Sequence, residues 1–322
     1  MSGEFGLIGQ YFGHKQSPRK DVHLDIGDDC AIVKAPENSR IAITTDTIVE
    51  GTHFLPNTSA EYVASKLLVS NLSDLAAMGA TPAWASLALT LPEANDSWLA
   101  EFSKTFFEIA DYYNVKLVGG DTTKGPLSAT LTLQGFLPVE RALTRHGARA
   151  GDWIYVTGSL GDSHAGLSLL LDPPASLNSE QALLIDRHFK RVPRILVGQA
   201  LINIASAAID ISDGLIADLG HVLKASDVGA MLDVNDLPLS PELLRHFHGD
   251  REQAAKCALM SGEEYELCFT VPDYNRHAIE STLGHTNTPY TCIGQIRGKQ
   301  GLELVKAGKS IDWQLSGFDH FA

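Results

Sequence analysis

A chain of 322 residues is long enough for about two domains. With 44% hydrophobic and 20% charged residues it has the composition of a folded chain with a sizeable core, which excludes a disordered one. Lys and Arg number 25 against 39 Asp and Glu; the net charge of -14 disfavours diffuse attraction to nucleic acid or an anionic membrane, so an anionic substrate calls for metal ions as mediators.

In chain order, residues 1–20 lack the basic start and apolar core of a signal peptide, and no later run approaches about 18 apolar residues, so a cytoplasmic protein is expected. CAIVKA and RIAITTDTIV read as β-rich runs. A helix is predicted from Ser59, whose hydroxyl can cap it, to Met78 before Gly79, with Val63, Leu67, Leu68, Leu72 and Leu75 as its apolar stripe. AWASLALTL reads as a strand, and Asp96 is expected to cap a helix carrying Leu99, Phe102, Phe106, Ile109 and Tyr113. VKLVGG is a short strand ending in glycines, and LSATLTLQ alternates with Leu127, Ala129, Leu131 and Leu133 on one face.

The Gly-, Pro- and Arg-rich stretch between Pro138 and Gly151 marks a boundary, placing a first domain over 1–140 and a second over 150–322. The second half opens with the strand WIYVTG, the helix GDSHAGLSLLL and a Pro193-initiated helix. AAIDIS, AMLDV, YELCFTV and YTCIGQI read as strands, separated by helices near 214–225, 240–247, 251–260 and 273–283. The alternation predicts two α/β domains.

Several chemistries lack their signatures. No G-x-G-x-x-G, H-E-x-x-H or G-x-S-x-G occurs, and the sequence from Gly120 to Gly125 continues with Pro126 where a Walker loop needs lysine. Cys30, Cys257, Cys268 and Cys292 show no C-x-x-C spacing, which points to a reducing compartment and away from zinc. What stands out is a series of carboxylates at strand ends and turns: IGDDC at 26–30, TTDT at 44–47, NLSD at 71–74, GGDTT at 119–123 and DISDG at 210–214. Hard oxygen donors of this kind suit Mg²⁺ bridged to substrate phosphates, and several sites imply several ions. Asn71 and Asp74 share one helix face and are expected to point into one cleft. Taken one at a time, such aspartates are also the usual caps and turn formers, His53 is equally a structural histidine, and Arg145 is equally a solvated charge.

Together IGDDCA, TTDTIVEGTHF, NLSDLAAMGA, GGDTT, GDWIYVTGSLGDSHAGL, DISDGLIADLGH, GEEYELCF and GFDHF resemble the thiamine-monophosphate kinase family from Glu4 to Phe321. The resemblance implies the two-domain α/β (α+β) fold of the aminoimidazole-ribonucleotide-synthetase-like (PurM-like) ATP-binding superfamily, whose N-terminal domains pair in a homodimer. It also implies an ATP-dependent phosphotransferase that makes thiamine diphosphate from thiamine monophosphate.

By the same resemblance Asp29, Thr44, Thr45, Asp46, Asp74, Asp121, Asp210 and Asp213 are metal positions for several Mg²⁺ ions, with Asp28 beside them. Gly120, Asp121, Arg145 and Ser212 are ATP positions, and His53, Glu263 and Phe318 are substrate positions; Asp46, Asp74, Asp121 and Arg145 form the catalytic set. One departure is visible: the family's Gly-Gly-Glu-Asp-Tyr-Glu is here Ser261-Gly262-Glu263-Glu264-Tyr265-Glu266. Superfamily branches acting on selenide, formylglycinamidine or hydrogenase precursors share the acidic motifs, although the Cys/Lys nucleophile region of the selenide branch is missing here. A synthetase that activates an acid or amide, or a nucleotide-binding dimer without turnover, stays open beside the kinase.

Overall fold

Chain contacts separate two units, Met1–Leu75 with Ala80–Arg141, and Ala76–Gly79 with Ala142–Ala322. The computed structural model describes residues 4–13, 16–315 and 317. Among these, no helix is long and apolar enough to cross a membrane.

In the first unit, α1 (Glu4–Leu7) runs into a π turn, and then come β1 (Val22–Leu24), β2 (Ile32–Val33), β3 (Ser39–Val49), α2 (Ala60–Met78), β4 (Thr81–Leu91), α3 (Asp96–Tyr112), β5 (Lys116–Lys124) and β6 (Ser128–Pro138). The last strand keeps its alternation, with Ala129, Leu131 and Leu133 buried. Four strands form a sheet in the order β3-β6-β4-β5. The pair β4 and β5 is parallel, with α3 as the crossover that parallel neighbours require.

The apolar stripe of α2 is fully buried, and the helix stops where Gly79 adopts φ 75° and its N–H returns to the Ala76 carbonyl. Two local expectations change. Asn95, not Asp96, caps α3 through the Trp98 N–H, because the Asp96 carboxylate accepts the Tyr11 hydroxyl at 2.8 Å. The strand expected to stop at the glycines continues to Lys124. It does so because a side chain is absent at Gly120, where a β carbon would stand 1.9 Å from the Leu87 carbonyl oxygen of β4.

The second unit contains β7 (Trp153–Thr157), α4 (Asp162–Leu171), α5 (Ser179–Phe189), α6 (Ile195–Leu201), β8 (Ala207–Asp210), α7 (Leu215–Ser226), β9 (Gly229–Asp233), α8 (Pro241–His246), α9 (Arg251–Met260), β10 (Leu267–Val271), α10 (Ile279–Leu283), β11 (Tyr290–Arg297), β12 (Gly301–Lys306) and β13 (Lys309–Ile311). A mixed sheet of 7 strands, β13-β12-β9-β11-β7-β10-β8, carries the core of Ile154, Val156, Ile209, Leu219, Leu232 and Ile293. The helix α5, absent from the sequence expectations, is held by a capping box between Asn178 and Gln181. Pro193 precedes α6 instead of starting it, and the stretch 273–283 opens as a 3-10 turn over Asp273–Ala278 before α10.

Within the second unit Gly198 on α6 lies so close to the segment Ala76–Gly79 that a β carbon would be 1.9 Å from the Ala76 carbonyl oxygen. Gly198→Ala is therefore expected to cost about 1–3 kcal/mol, seen as a lower midpoint of urea unfolding. An unchanged midpoint would show that α6 tolerates displacement from Ala76.

Candidate active site

Alternation along β3 sends Thr44 and Asp46 to one face of the sheet and Thr45 to the other. On the first face they meet Ser70 and Asp74, which stand one helical turn apart on α2. The Thr44 hydroxyl donates to the Asp74 carboxylate, and Ser70 hydrogen-bonds Asp46. Burial, reinforced by the charge of Asp74, pushes the Asp46 carboxyl up to about 6. Asn71 does not join this cluster; it is wholly buried, and its amide nitrogen donates at 2.9 Å to the Leu67 carbonyl of its own helix. Thr45 packs on the opposite face, its hydroxyl 2.9 Å from that of Thr132.

That opposite face borders a cavity of about 790 Å³. Its rim carries Asp28 and Asp29 from the loop after β1, and Gly120 and Asp121 from β5; Ile41 and Ile43 line its apolar wall. The Asp29 N–H donates to Asp28 at 2.8 Å, which turns the loop. Gln134 contributes a buried amide oxygen with no hydrogen-bond partner among the described residues. His53 is half-buried and accepts the Val49 N–H on Nδ1 at 3.1 Å, so its ring orientation is set locally.

In the second unit the buried Asp210 ends β8, and the turn that follows is tied by Asp218 of α7. One oxygen of Asp218 accepts the N–H groups of Ser212, Asp213 and Gly214 at 3.0, 3.0 and 3.1 Å. Burial nevertheless pushes its carboxyl up to about 7, with Asp213 adding to the rise. The Ser212 carbonyl accepts the Glu263 N–H at 2.7 Å, so a backbone bond joins the residue expected to meet ATP to the one expected to meet substrate. The altered motif also has a structural role: Glu264 is wholly buried and accepts the N–H groups of Gly161 and Ser163. Arg145 is exposed, its carbonyl accepting the Ser226 hydroxyl at 3.2 Å. Phe318 lies outside the described residues.

Thr44, Asp46 and Asp74 thus gather on one face of the first sheet, Asp28, Asp29, Gly120 and Asp121 around the cavity on the other, and Ser212, Asp213 and Glu263 at one turn of the second unit. Ser70 and Asp218 are not among the residues the sequence motifs single out. Each is nonetheless legible as a polar residue one helical turn from a named one, Ser70 before Asp74 and Asp218 after Gly214. Among the described residues no three of Asp, Glu, His and Cys stand close enough to hold an ion by themselves. The donor set still fits Mg²⁺, because this ion keeps several waters and substrate oxygens and takes one or two carboxylates from the protein. The repelling Asp46–Asp74 pair is such a set of hard donors.

The sequence matches the models of AIR synthase related protein, N-terminal domain, over residues 27–137 and C-terminal domain over 149–307. These two matches span most of the chain, which belongs to the AIR synthase related family. The thiamine-monophosphate kinase of Escherichia coli (strain K12) is 53% identical over 322 residues, 99% of this chain and 98% of its own length. The crystal structure of thiamine-monophosphate kinase from Stenotrophomonas maltophilia superposes with a TM-score of 0.84 at 42% identity, covering 89% of this chain and 92% of that one. A chain described as AaThiL complexed with AMPPCP and TMP gives 0.79 at 33% identity, covering 99% and 97%. Within the broader family, this chain belongs to the thiamine-monophosphate kinases.

Asp46→Asn and Asp74→Asn each exchange a hard anionic ligand for an amide while keeping its shape. Both are expected to lower kcat/KM by on the order of 100-fold or more with unchanged circular dichroism. Near-normal turnover in both would remove the carboxylate pair from the catalytic site.

Proposed function

We propose that this chain transfers the γ-phosphoryl group of ATP directly to the phosphate of thiamine monophosphate, giving thiamine diphosphate and ADP. The observation that carries this is the 53% identity to the Escherichia coli enzyme over 99% of the chain. The paired Asp46 and Asp74 carboxylates agree with it, since two negatively charged substrates must be brought together. Asp29, Thr44, Thr45, Asp46, Asp74, Asp121, Asp210 and Asp213 are the residues that would hold Mg²⁺. When bound, Mg²⁺ neutralises the phosphates and stabilises charge on the transferring group.

The remaining work is positioning. Gly120, Asp121, Arg145 and Ser212 hold the nucleotide, and His53, Glu263 and Phe318 hold the thiamine phosphate. The attacking phosphate oxygen is already deprotonated near neutral pH, so the chain supplies neither a general base nor a nucleophile for a phosphoenzyme. Residues 1–140 take the ATP, metal and dimer roles, and 150–322 complete the site. A homodimer is favoured by β3, an edge strand with Ile41 and Ile43 exposed at 47% and 67%. The four free cysteines suit a cytoplasmic location.

Incubation with ATP, Mg²⁺ and thiamine monophosphate is expected to yield ADP and thiamine diphosphate in equal amounts, with inversion at a chiral γ-phosphorus. Retention would demand a phosphoenzyme, and ADP with free phosphate would point to a different acceptor. Cys30 is exposed on the rim of the cavity, whereas burial pushes the Cys257 thiol up to about 12 and that of Cys268 higher still. A non-hydrolysable ATP analogue should therefore slow iodoacetamide labelling of Cys30 and leave the unreactive buried thiols unaffected. Unchanged labelling of Cys30 would place the nucleotide elsewhere.

A further inference from the structure

Glu263 sits in a segment whose backbone is forced. Both Glu263 and Tyr265 adopt left-handed φ values, 55° and 52°, which side chains disfavour. Their N–H groups are pinned to the carbonyls of Ser212 and Ile211 at 2.7 and 2.8 Å. Between them Glu264 is drawn inward: its carboxylate takes the Gly161 and Ser163 N–H groups at 2.8 and 3.1 Å, the Ser261 hydroxyl at 2.5 Å, and an ion pair with Arg191.

Ser163 acts twice in this arrangement. Its N–H holds Glu264, while its hydroxyl lies 3.0 Å from Nδ1 of His188, a buried residue in the last turn of α5. The other ring nitrogen of His188, Nε2, stands 3.8 Å from the Glu263 carboxylate. A ring that accepts the Ser163 hydroxyl proton at Nδ1 must carry its own proton on Nε2, which is the nitrogen that faces Glu263. The 3.8 Å separation exceeds a hydrogen bond, and a turn of the Glu263 carboxylate would close it.

We propose that Ser163 and His188 form a positioning relay that orients Glu263 toward the thiamine head group. Neither residue touches substrate; they act by fixing the direction of a carboxylate whose backbone is already locked. This rests on the assignment of Glu263 to thiamine monophosphate. His188 also packs edge-on against Phe189, with ring centroids 4.7 Å apart, so the test must separate orientation from packing.

Asparagine and glutamine make that separation in the full-length protein. In His188→Asn the amide reaches the position of Nδ1 and loses Glu263, whereas in His188→Gln the amide nitrogen reaches the position of Nε2 and keeps it. His188→Asn is expected to raise KM for thiamine monophosphate about 10-fold with KM for ATP within about twofold, and His188→Gln is expected to restore most of the loss. Ser163→Ala, which keeps the N–H to Glu264 and removes only the hydroxyl, should shift KM for thiamine monophosphate the same way by about threefold. Equal effects of Asn and Gln, a parallel rise in KM for ATP, or no change in Ser163→Ala would overturn the relay. Glu263→Gln supplies the control: if it raises KM for thiamine monophosphate while His188→Asn does not, the relay alone fails. If Glu263→Gln leaves that KM unchanged, the substrate assignment itself is wrong.

Discussion

Two carboxylates, Asp46 on a strand and Asp74 on a helix, are held in one partly buried place, and their repulsion organises the chemistry around them. The Thr44 hydroxyl and the Ser70 hydroxyl relieve part of it. A proton on Asp46 or a divalent cation relieves the rest. Such a pair is costly to a protein that needs only to fold, and it is useful to one that must bring two phosphates together. The chain carries a net charge of -14, so its overall field does not attract anionic substrates.

The second unit solves the opposite problem, that of buried acids which must remain anionic. Asp162, Glu264 and Glu266 are all buried, and each is paired with an arginine from one short stretch: Arg187, Arg191 and Arg194. Breaking one partner of such a pair typically costs about 3–5 kcal/mol, because the other charge is left without compensation. Serine at position 261 and glutamate at 264 act together here, the hydroxyl donating to the carboxylate at 2.5 Å, so the two departures from the family's usual motif are tied to each other.

The sequence alone determined the helices and strands whose periodicity is strong: the stripe from Val63 to Leu75, the alternation from Ala129 to Leu133, and the carboxylates at the strand ends. It also determined the family, through motifs spread over nearly the whole chain. Local pattern suffices for these because each depends on residues a few positions apart. The identity of the α3 cap was not legible, since it depends on a contact between Asp96 and Tyr11 across 85 positions; α5, absent from the sequence expectations, does carry a local signal in Asn178 and Gln181, three positions apart. Tertiary structure alone decided that the face of β3 carrying Asp46 meets α2, that Asn71 turns away from the Asp46–Asp74 pair, and that Glu264 goes inward while Glu263 does not. Those choices depend on which face of a strand is covered and on which arginine lies behind a turn, and such facts exist only once distant parts of the chain have packed together.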